Sequence, residues 1–261
     1  MGSLTDFAEL KLLDHIFENT AYTPVAQLYL ALFVTDPTDA GVVTSEPSTN
    51  GYARASIAFS AASGRKIVQN GQVTFPQCTG GDWGIISYWG IMDAASSGNM
   101  LAYGAFSTPI TTAVGNVPFV PNLSIEVSVD PGAISNYLAH ALLNFMFRNI
   151  PYAQPNIHIA LCDAAPLDTD TGSTISELSG NAYARVDFGD WTAAVAGALS
   201  NNTDINFITP TGAWNLITHS AILDASTAGN LLFYAEAFPN QAPQSGDPVK
   251  FIAGAYDVSL D

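Results

Sequence analysis

Positive charge is scarce in this sequence: seven Lys and Arg stand against 23 Asp and Glu, a formal net charge of -16 at pH 7. Such a field repels phosphates, and Lys11, Arg54, Arg65, Lys66, Arg148, Arg185 and Lys250 are scattered along the chain rather than gathered in a patch. Nucleic-acid binding and attachment to an anionic membrane surface are therefore excluded as expectations. Cysteine is almost absent. Cys78 and Cys162 cannot build a disulfide scaffold or a cysteine zinc site, and the pair is expected to be two buried free thiols. Long apolar runs are missing too, since the stretch from Ala139 to Phe147 is broken by His140 and Asn144, well short of the roughly 18 residues a membrane span needs. The start, Met1-Gly2-Ser3-Leu4-Thr5-Asp6, lacks the basic flank and apolar block of a secretion signal, so no signal peptide is expected. Walker A, Gly-x-Gly-x-x-Gly, Gly-x-Ser-x-Gly and His-Glu-x-x-His patterns do not occur, which removes the strongest local signatures of nucleotide binding, serine hydrolysis and zinc proteolysis.

What the sequence does have is enough apolar material to fold, 48% hydrophobic residues, and an internal repeat. Tyr52-Ala53-Arg54 returns as Tyr183-Ala184-Arg185 at an offset of 131 residues. At the same offset Trp83 answers Trp214, Asp93-Ala94 answers Asp224-Ala225, Gly98-Asn99 answers Gly229-Asn230, and Tyr103 answers Tyr234. Val127-Ser128-Val129-Asp130 closes the first half as Val258-Ser259-Leu260-Asp261 closes the second. Pro131-Gly132 reads as a tight linker, giving domains at 1–130 and 131–261. Each half opens on a helical apolar face, Leu4, Phe7, Leu10, Leu13 and Phe17 in one, Ile134, Tyr137 or Leu138, Ala141, Leu142 and Phe145 in the other.

Strand signals fill the rest of each half. Gln27 to Val34, Tyr52 to Phe59, Lys66 to Phe75, Ile85 to Met92, Leu101 to Phe106 and Leu123 to Val129 are apolar or alternating runs between Gly, Asn, Pro, Ser and Asp clusters. Asn156 to Cys162 is the second-half counterpart of the first of them. The Asp93 to Asn99 loop and its twin, Asp224 to Asn230, read as hairpin connections. The fold class that follows is mainly β: two tandem homologous antiparallel β-sandwich or small-barrel domains, each preceded by one amphipathic helix. Parallel α/β folds are excluded.

Candidate chemistry can be weighed by asking which polar groups both halves carry. His15, His140, His158 and His219 face Phe145, Leu10, Tyr29 and Tyr88 in the other half, which marks them as packing positions rather than ligands or general bases. Shared by both halves are Tyr52, Arg54, Trp83, Asp93, Asn99 and Tyr103, with Tyr183, Arg185, Trp214, Asp224, Asn230 and Tyr234. Two readings are available. Arg54 and Asp93 would line a carbohydrate site with Trp83 as its stacking platform, or all six would maintain the shape of the sandwich and its hairpin; the second is favoured, because a sandwich needs such residues in any case. An ion pair between Arg54 and Asp93 is a further option. Asp163, Asp168, Asp170 and Glu177 suggest a hard-cation loop, but an EF-hand would need an oxygen ligand at Gly172 and Glu at Ser179, so a solvated loop is expected. Asn122-Leu123-Ser124 and Asn201-Asn202-Thr203 fit glycosylation sequons that carry little weight without a secretion signal. No pair of carboxylates is singled out for glycoside hydrolysis, and neither cofactor nor metal is expected.

The order of short motifs in one half is more specific: a helix, Tyr29-Leu30-Ala31-Leu32, an Asp-Pro loop, Gly51-Tyr52-Ala53-Arg54, Val73-Thr74-Phe75-Pro76, Asp82-Trp83-Gly84, Ile91-Met92-Asp93-Ala94, Gly98-Asn99-Met100-Leu101 and Tyr103-Gly104. This order resembles small virion proteins of tailed bacteriophages, usually labelled tail fibre proteins and sometimes suspected of decorating the head. The second half departs from the pattern at Ala182 and Asn215, where the first has Gly51 and Gly84. The resemblance implies a non-enzymatic structural protein, made in the host cytoplasm and placed in the virion as a fused tandem duplication. Its implied partners are other virion proteins, major capsid protein or tail and neck proteins, and it implies a homo-oligomer or many copies per particle. A fibre shaft would show heptads or many short repeats; two globular copies lead us to expect a surface-attached capsid decoration (cement) protein first. A tail fibre or appendage protein contacting host carbohydrate is the alternative, and a polysaccharide-acting enzyme a remote one.

Overall fold

A computed structural model describes residues 2–17, 20–129 and 134–260. The first copy runs β1 (Gly2–Leu4), α1 (Asp6–Phe17), β2 (Leu28–Phe33), β3 (Ala55–Ile57), β4 (Lys66–Val68), β5 (Val73–Thr74), β6 (Ile85–Met92), β7 (Met100–Thr111), β8 (Phe119–Val120) and β9 (Glu126–Ser128). The second runs α2 (Asn136–Arg148), β10 (His158–Cys162), β11 (Val186–Asp187), β12 (Ala198–Ser200), β13 (Ile205–Asn206), β14 (Ile217–Leu223), β15 (Leu231–Gln241), β16 (Lys250–Phe251) and β17 (Asp257–Ser259). The protein is thus mainly β, written twice in tandem with one helix per copy.

In the first copy seven strands lie in the order β3-β2-β6-β7-β1-β9-β4, with β5 and β8 paired separately. In the second, β11-β10-β14-β15 form one sheet, and β12-β17 and β13-β16 form two ribbons. The registers agree between copies: Leu32 faces Trp89 and Trp89 faces Gly104 in one, Leu161 faces Ser220 and Ser220 faces Ala235 in the other. The central strands are buried on both faces, so β2 and β10 read as nearly continuous apolar runs. On one face Ala31, Phe33, Met92 and Met100 pack together, and Ala160, Cys162, Leu223 and Leu231 do so in the second copy.

Several local expectations are corrected. Leu4 begins no helix: β1 inserts between β7 and β9, and its single partner in β9, Val127, makes that contact parallel, against an all-antiparallel sheet. The helix starts two residues later, at Asp6, because Thr5 caps it, its Oγ1 accepting from Ala8 N at 3.4 Å and donating to Met100 O at 2.5 Å. Ser135 does the same for α2, accepting from Leu138 N at 3.1 Å and donating to Leu231 O. Lys66 to Phe75 is two strands, since Gly71 turns the chain at φ 92°. Tyr52 to Phe59 contributes only Ala55–Ile57, because Tyr52 and Arg54 serve a side-chain network described below. The linker at Pro131-Gly132 lies outside the described residues.

Spatial contacts gather the residues into two compact units. One holds Met1–Lys11, Thr23–Asp130 and His140–Tyr152; the other holds Leu12–Tyr22, Pro131–Ala139 and Ala153–Asp261. The end of each helix therefore packs with the other copy's strands. In the first unit Phe147 meets Phe59 at 5.3 Å, Asn144 Oδ1 accepts from Ala62 N, and His140 Nε2 accepts from Arg65 N. In the second, Phe17 meets Trp191 at 4.7 Å and Phe233 at 5.5 Å, and Asp14 Oδ1 accepts from Ala194 N. Burying such a phenylalanine contributes roughly 1.5–3 kcal/mol.

Candidate functional site

Of the residues shared by the two copies, Arg54, Asp93 and Asn99 meet at the loop that joins the long hairpin. Asn50 and Gly51 turn the chain at positive φ and deliver Tyr52 and Arg54 beneath β2. The Tyr52 hydroxyl accepts from Leu32 N at 3.0 Å and donates to Glu46 Oε1 at 2.8 Å. Arg54 grips the same carboxylate through Nε at 2.8 Å and Nη2 at 2.7 Å. Its Nη1 donates to two backbone carbonyls of the hairpin loop, Ala94 O at 2.9 Å and Ser97 O at 2.6 Å. That loop is closed on itself by Asp93, whose two oxygens accept from Asn99 N at 2.7 Å and Asn99 Nδ2 at 2.8 Å. Gly98 sits at φ 74° with its α-carbon hydrogens against Asp93 Oδ1, where a Cβ would come within 2.2 Å.

The second copy repeats this clasp bond for bond. Tyr183 hydroxyl accepts from Leu161 N and donates to Glu177 Oε1; Arg185 binds Glu177 and donates to Ala225 O and Ala228 O. Arg185 Nη2 adds Gly172 O at 2.9 Å. Asp224 holds Asn230 N and Nδ2. Both guanidinium groups are almost fully withdrawn from water, with side-chain exposures of 5% and 4%. Burial works against the charge on Arg54, yet the Glu46 carboxylate beside it outweighs that and holds the group above its ordinary pKa. Burial, and then the neighbouring carboxylate, also push the Tyr52 and Tyr183 hydroxyls upward, so both stay protonated.

Trp83 and Trp214 are buried, with their indole N–H groups on Asn50 O and Asn181 O and their rings edge-on to Tyr52 and Tyr183 at 5.1 and 5.3 Å. Neither is a platform open to a sugar. Arg54 pairs with Glu46 rather than with Asp93. Tyr234 donates to Asp168, and Tyr103, raised by burial, lies near Ser3, Asp39, Asp36 and Glu9. The histidines stay dispersed: His15 Nδ1 accepts from Tyr22 N, His140 from Arg65 N, and His219 Nδ1 shares a hydrogen with Thr218 Oγ1.

The four acids of the suggested cation loop go to separate tasks. Asp163 takes Ser176 and Asn215, Asp168 takes Tyr234, Asp170 takes Thr174 and Leu167 N, and Glu177 takes Arg185. Among the described residues one group of three carboxylates comes together, Asp6, Glu9 and Asp39, within 4.8 Å. Cys78 and Cys162 are free and buried, and burial followed by the nearby Glu177 pushes the Cys162 thiol up to about 12, which leaves it unreactive at neutral pH.

Sequence reasoning missed two components. Glu46 and Glu177, the acceptors at the centre of each clasp, stand 131 residues apart and were open to the same repeat test as Arg54. Gln69 and Asn201 were not, because they differ in type and stand 132 apart. Both are fully buried amides. Gln69 accepts from Ile125 N and donates to Gly71 O; Asn201 accepts from Ala255 N and Tyr256 N and donates to Thr203 O and Ile252 O.

The fold and this geometry define a class: a duplicated, mainly β module whose shared polar side chains are engaged in bonds within the chain. The sequence family described as podophage GP4 fiber I protein gp80 matches residues 3–128 and again residues 133–259. The chain belongs to that family, as two members in tandem, and is a structural protein of a phage virion that associates with other virion proteins. A comparison with curated proteins found no match.

Proposed function

We propose that the protein is a non-enzymatic fibre or appendage component of a tailed phage, present in multiple copies or as a homo-oligomer in contact with neighbouring tail proteins. The observation that carries this reading is the fibre-family match over both copies. Two further features support it. The shared residues of each clasp hold shape, because Tyr52, Arg54, Asp93 and Asn99, and their counterparts, bond to backbone and to side chains of the same copy. The helix ends and sheets of the two repeats also complete one another's compact units, which suits a mechanically continuous building block. In this reading the head-decoration role is the competitor. Quantitative mass spectrometry of purified virions separates them: a tail component numbers in the tens or fewer per particle and co-purifies with detached tails. A stoichiometry in the hundreds, following the head fraction, overturns the fibre assignment.

A further inference from the structure

The two copies place glycine differently at two surface turns. At the tip of the hairpin that leads into β12, Val195 faces Ala198, and the chain turns through Ala196 and Gly197 at φ 49° and 71°. The first copy makes the same turn from Ser63 to Lys66, with Gly64 and Arg65 at φ 60° and 61°. Beyond β8 the difference is reversed: Leu123 stands at φ 64°, and its counterpart beyond β16 is Gly254 at φ 72°. Left-handed backbone strains a residue that carries a Cβ. In each case the other copy shows that glycine satisfies the turn. The apolar side chains at these turns also face water, Val195 being 71% and Leu123 64% exposed. Neither stability nor solubility favours such choices, whereas an apolar contact made outside the chain does.

The surroundings of the two turns match each other. Leu123 and Phe119, itself 50% exposed, form with Phe106 and Ile110 the walls of a groove of about 600 Å³ whose lining carries no charged residue. At those four positions the second copy has Gly254, Lys250, Ala237 and Gln241, and Glu236 and Asp257 line the corresponding opening. The fold therefore does not require the first groove to be apolar. The second-copy tip, Ala193 to Ala198, is likewise without charge, whereas the first-copy tip presents Arg65 and Lys66. The apolar projection and the apolar groove thus lie on different copies of one chain. Chains of formal charge -16 repel one another, and contact costs least where uncharged surface meets uncharged surface, so a second copy of this chain is the occupant that fits both. We propose that the Val195–Ala196 tip of one chain seats in the Leu123 groove of the next, joining chains head to tail. Such a contact is heterologous. It leaves a groove free at one end and a tip free at the other, and adds chains in series unless the rotation closes a ring. The interface is argued from these two surfaces; only its use in building a tail fibre rests on the fibre reading.

The test is sedimentation velocity of the full chain from about 10 μM to about 1 mM, the range in which a small apolar contact is populated. Wild type should sediment progressively faster as concentration rises, and more so in high salt, which screens the like charges. Two variants borrow residues that the other copy already carries at the same positions. Leu123→Gly with Phe119→Lys spoils the groove, and Val195→Ser with Ala196→Gly spoils the tip. Both should keep the melting temperature of wild type or exceed it, and each alone should associate at least about tenfold more weakly. Leu123→Gly alone and Val195→Ser alone serve if a paired variant does not fold. Mixed in equal amounts, the two variants should form a one-to-one dimer and nothing larger, because one intact tip then meets one intact groove. Wild type that stays monomeric throughout, association that salt weakens, a folded variant weakened by less than tenfold, or a mixture that does not pair overturns the proposal. These outcomes are read in solution and do not depend on the copy number in virions that tests the fibre assignment.

Discussion

Removing the guanidinium from one clasp should be far more damaging than removing the whole ion pair. Arg54→Leu leaves the Glu46 carboxylate, whose side chain is 13% exposed, with the Tyr52 hydroxyl and no counter-ion, and it strips a donor from Ala94 O and Ser97 O. Breaking one side of a buried pair costs about 3–5 kcal/mol. The double variant Arg54→Leu, Glu46→Leu no longer confines a lone charge. What it loses is the acceptor for Tyr52 and the tether on the hairpin loop, together about 1–2 kcal/mol. Equilibrium urea denaturation of wild type, both single variants and the double variant gives the coupling energy, and the arginine single variant is expected to be less stable than the double variant by about 1–4 kcal/mol. Hydrogen exchange at the Ser97, Gly98 and Asn99 amides locates the effect, with protection falling most in the arginine single variant. A double variant as unstable as the two single variants added together would show that the clasp is not a coupled unit, and the reasoning from its geometry would fail.

Other consequences are open to measurement. Gly98→Ala meets both an unfavourable φ and Asp93 Oδ1, so it should cost at least 1 kcal/mol in thermal melts, whereas Gly115→Ala, with nothing within 4 Å, should show only the smaller backbone penalty. Phe17→Ala and Phe147→Ala should each destabilise by about 3–5 kcal/mol, and exchange protection should fall around Trp191 in the first and around Phe59 in the second. For pH, the Cys162, Tyr52 and Tyr183 groups are raised in the folded state by burial, so the folded chain retains protons that the unfolded chain gives up. Their contribution is complete below the ordinary pKa near 9 for cysteine and 10 for tyrosine, and is lost as pH rises above those values. Asp163 is lowered, by Ser176 first and Asn215 next; its contribution is present above the ordinary value of 3.8 and lost as pH falls below it. Melting temperature against pH should therefore decline at both extremes, and a flat alkaline limb above pH 10 would contradict the assignment of the buried tyrosines.

Much of the architecture was legible because duplication supplies an internal control. The period-2 and apolar signals of β2, β6, β10 and β14 survive in both copies, and the Asp-to-Asn hairpin loop carries its turn chemistry openly. What escaped were features made by distant partners. β1 is three residues long and reads as the approach to a helix, because nothing local announces that it will be inserted between two strands far along the chain. The clasp was half visible: Tyr52 and Arg54 stood out as a repeated pair, but the one acid considered for Arg54 was Asp93, of the conspicuous turn, and the actual partner is Glu46 in a loop without pattern. Trp83 left a stacking platform open beside the favoured role in the sandwich, and its burial against Tyr52 closes the platform. The exchange of Trp89 for Ser220 was written in the repeat as well, and becomes visible once the registers align those positions across the copies.

The partition of the helices has a consequence for how such a protein can be cut, copied or shortened. A scission midway along the chain would not yield two finished bodies, because each product would carry a tail that completes the other and lack the one that completes itself. A single repeat made alone would have to find a sister and trade tails with it, a second-order event that dilution opposes. Fusion turns that trade into an intramolecular closure whose outcome no longer depends on how much protein the cell has made.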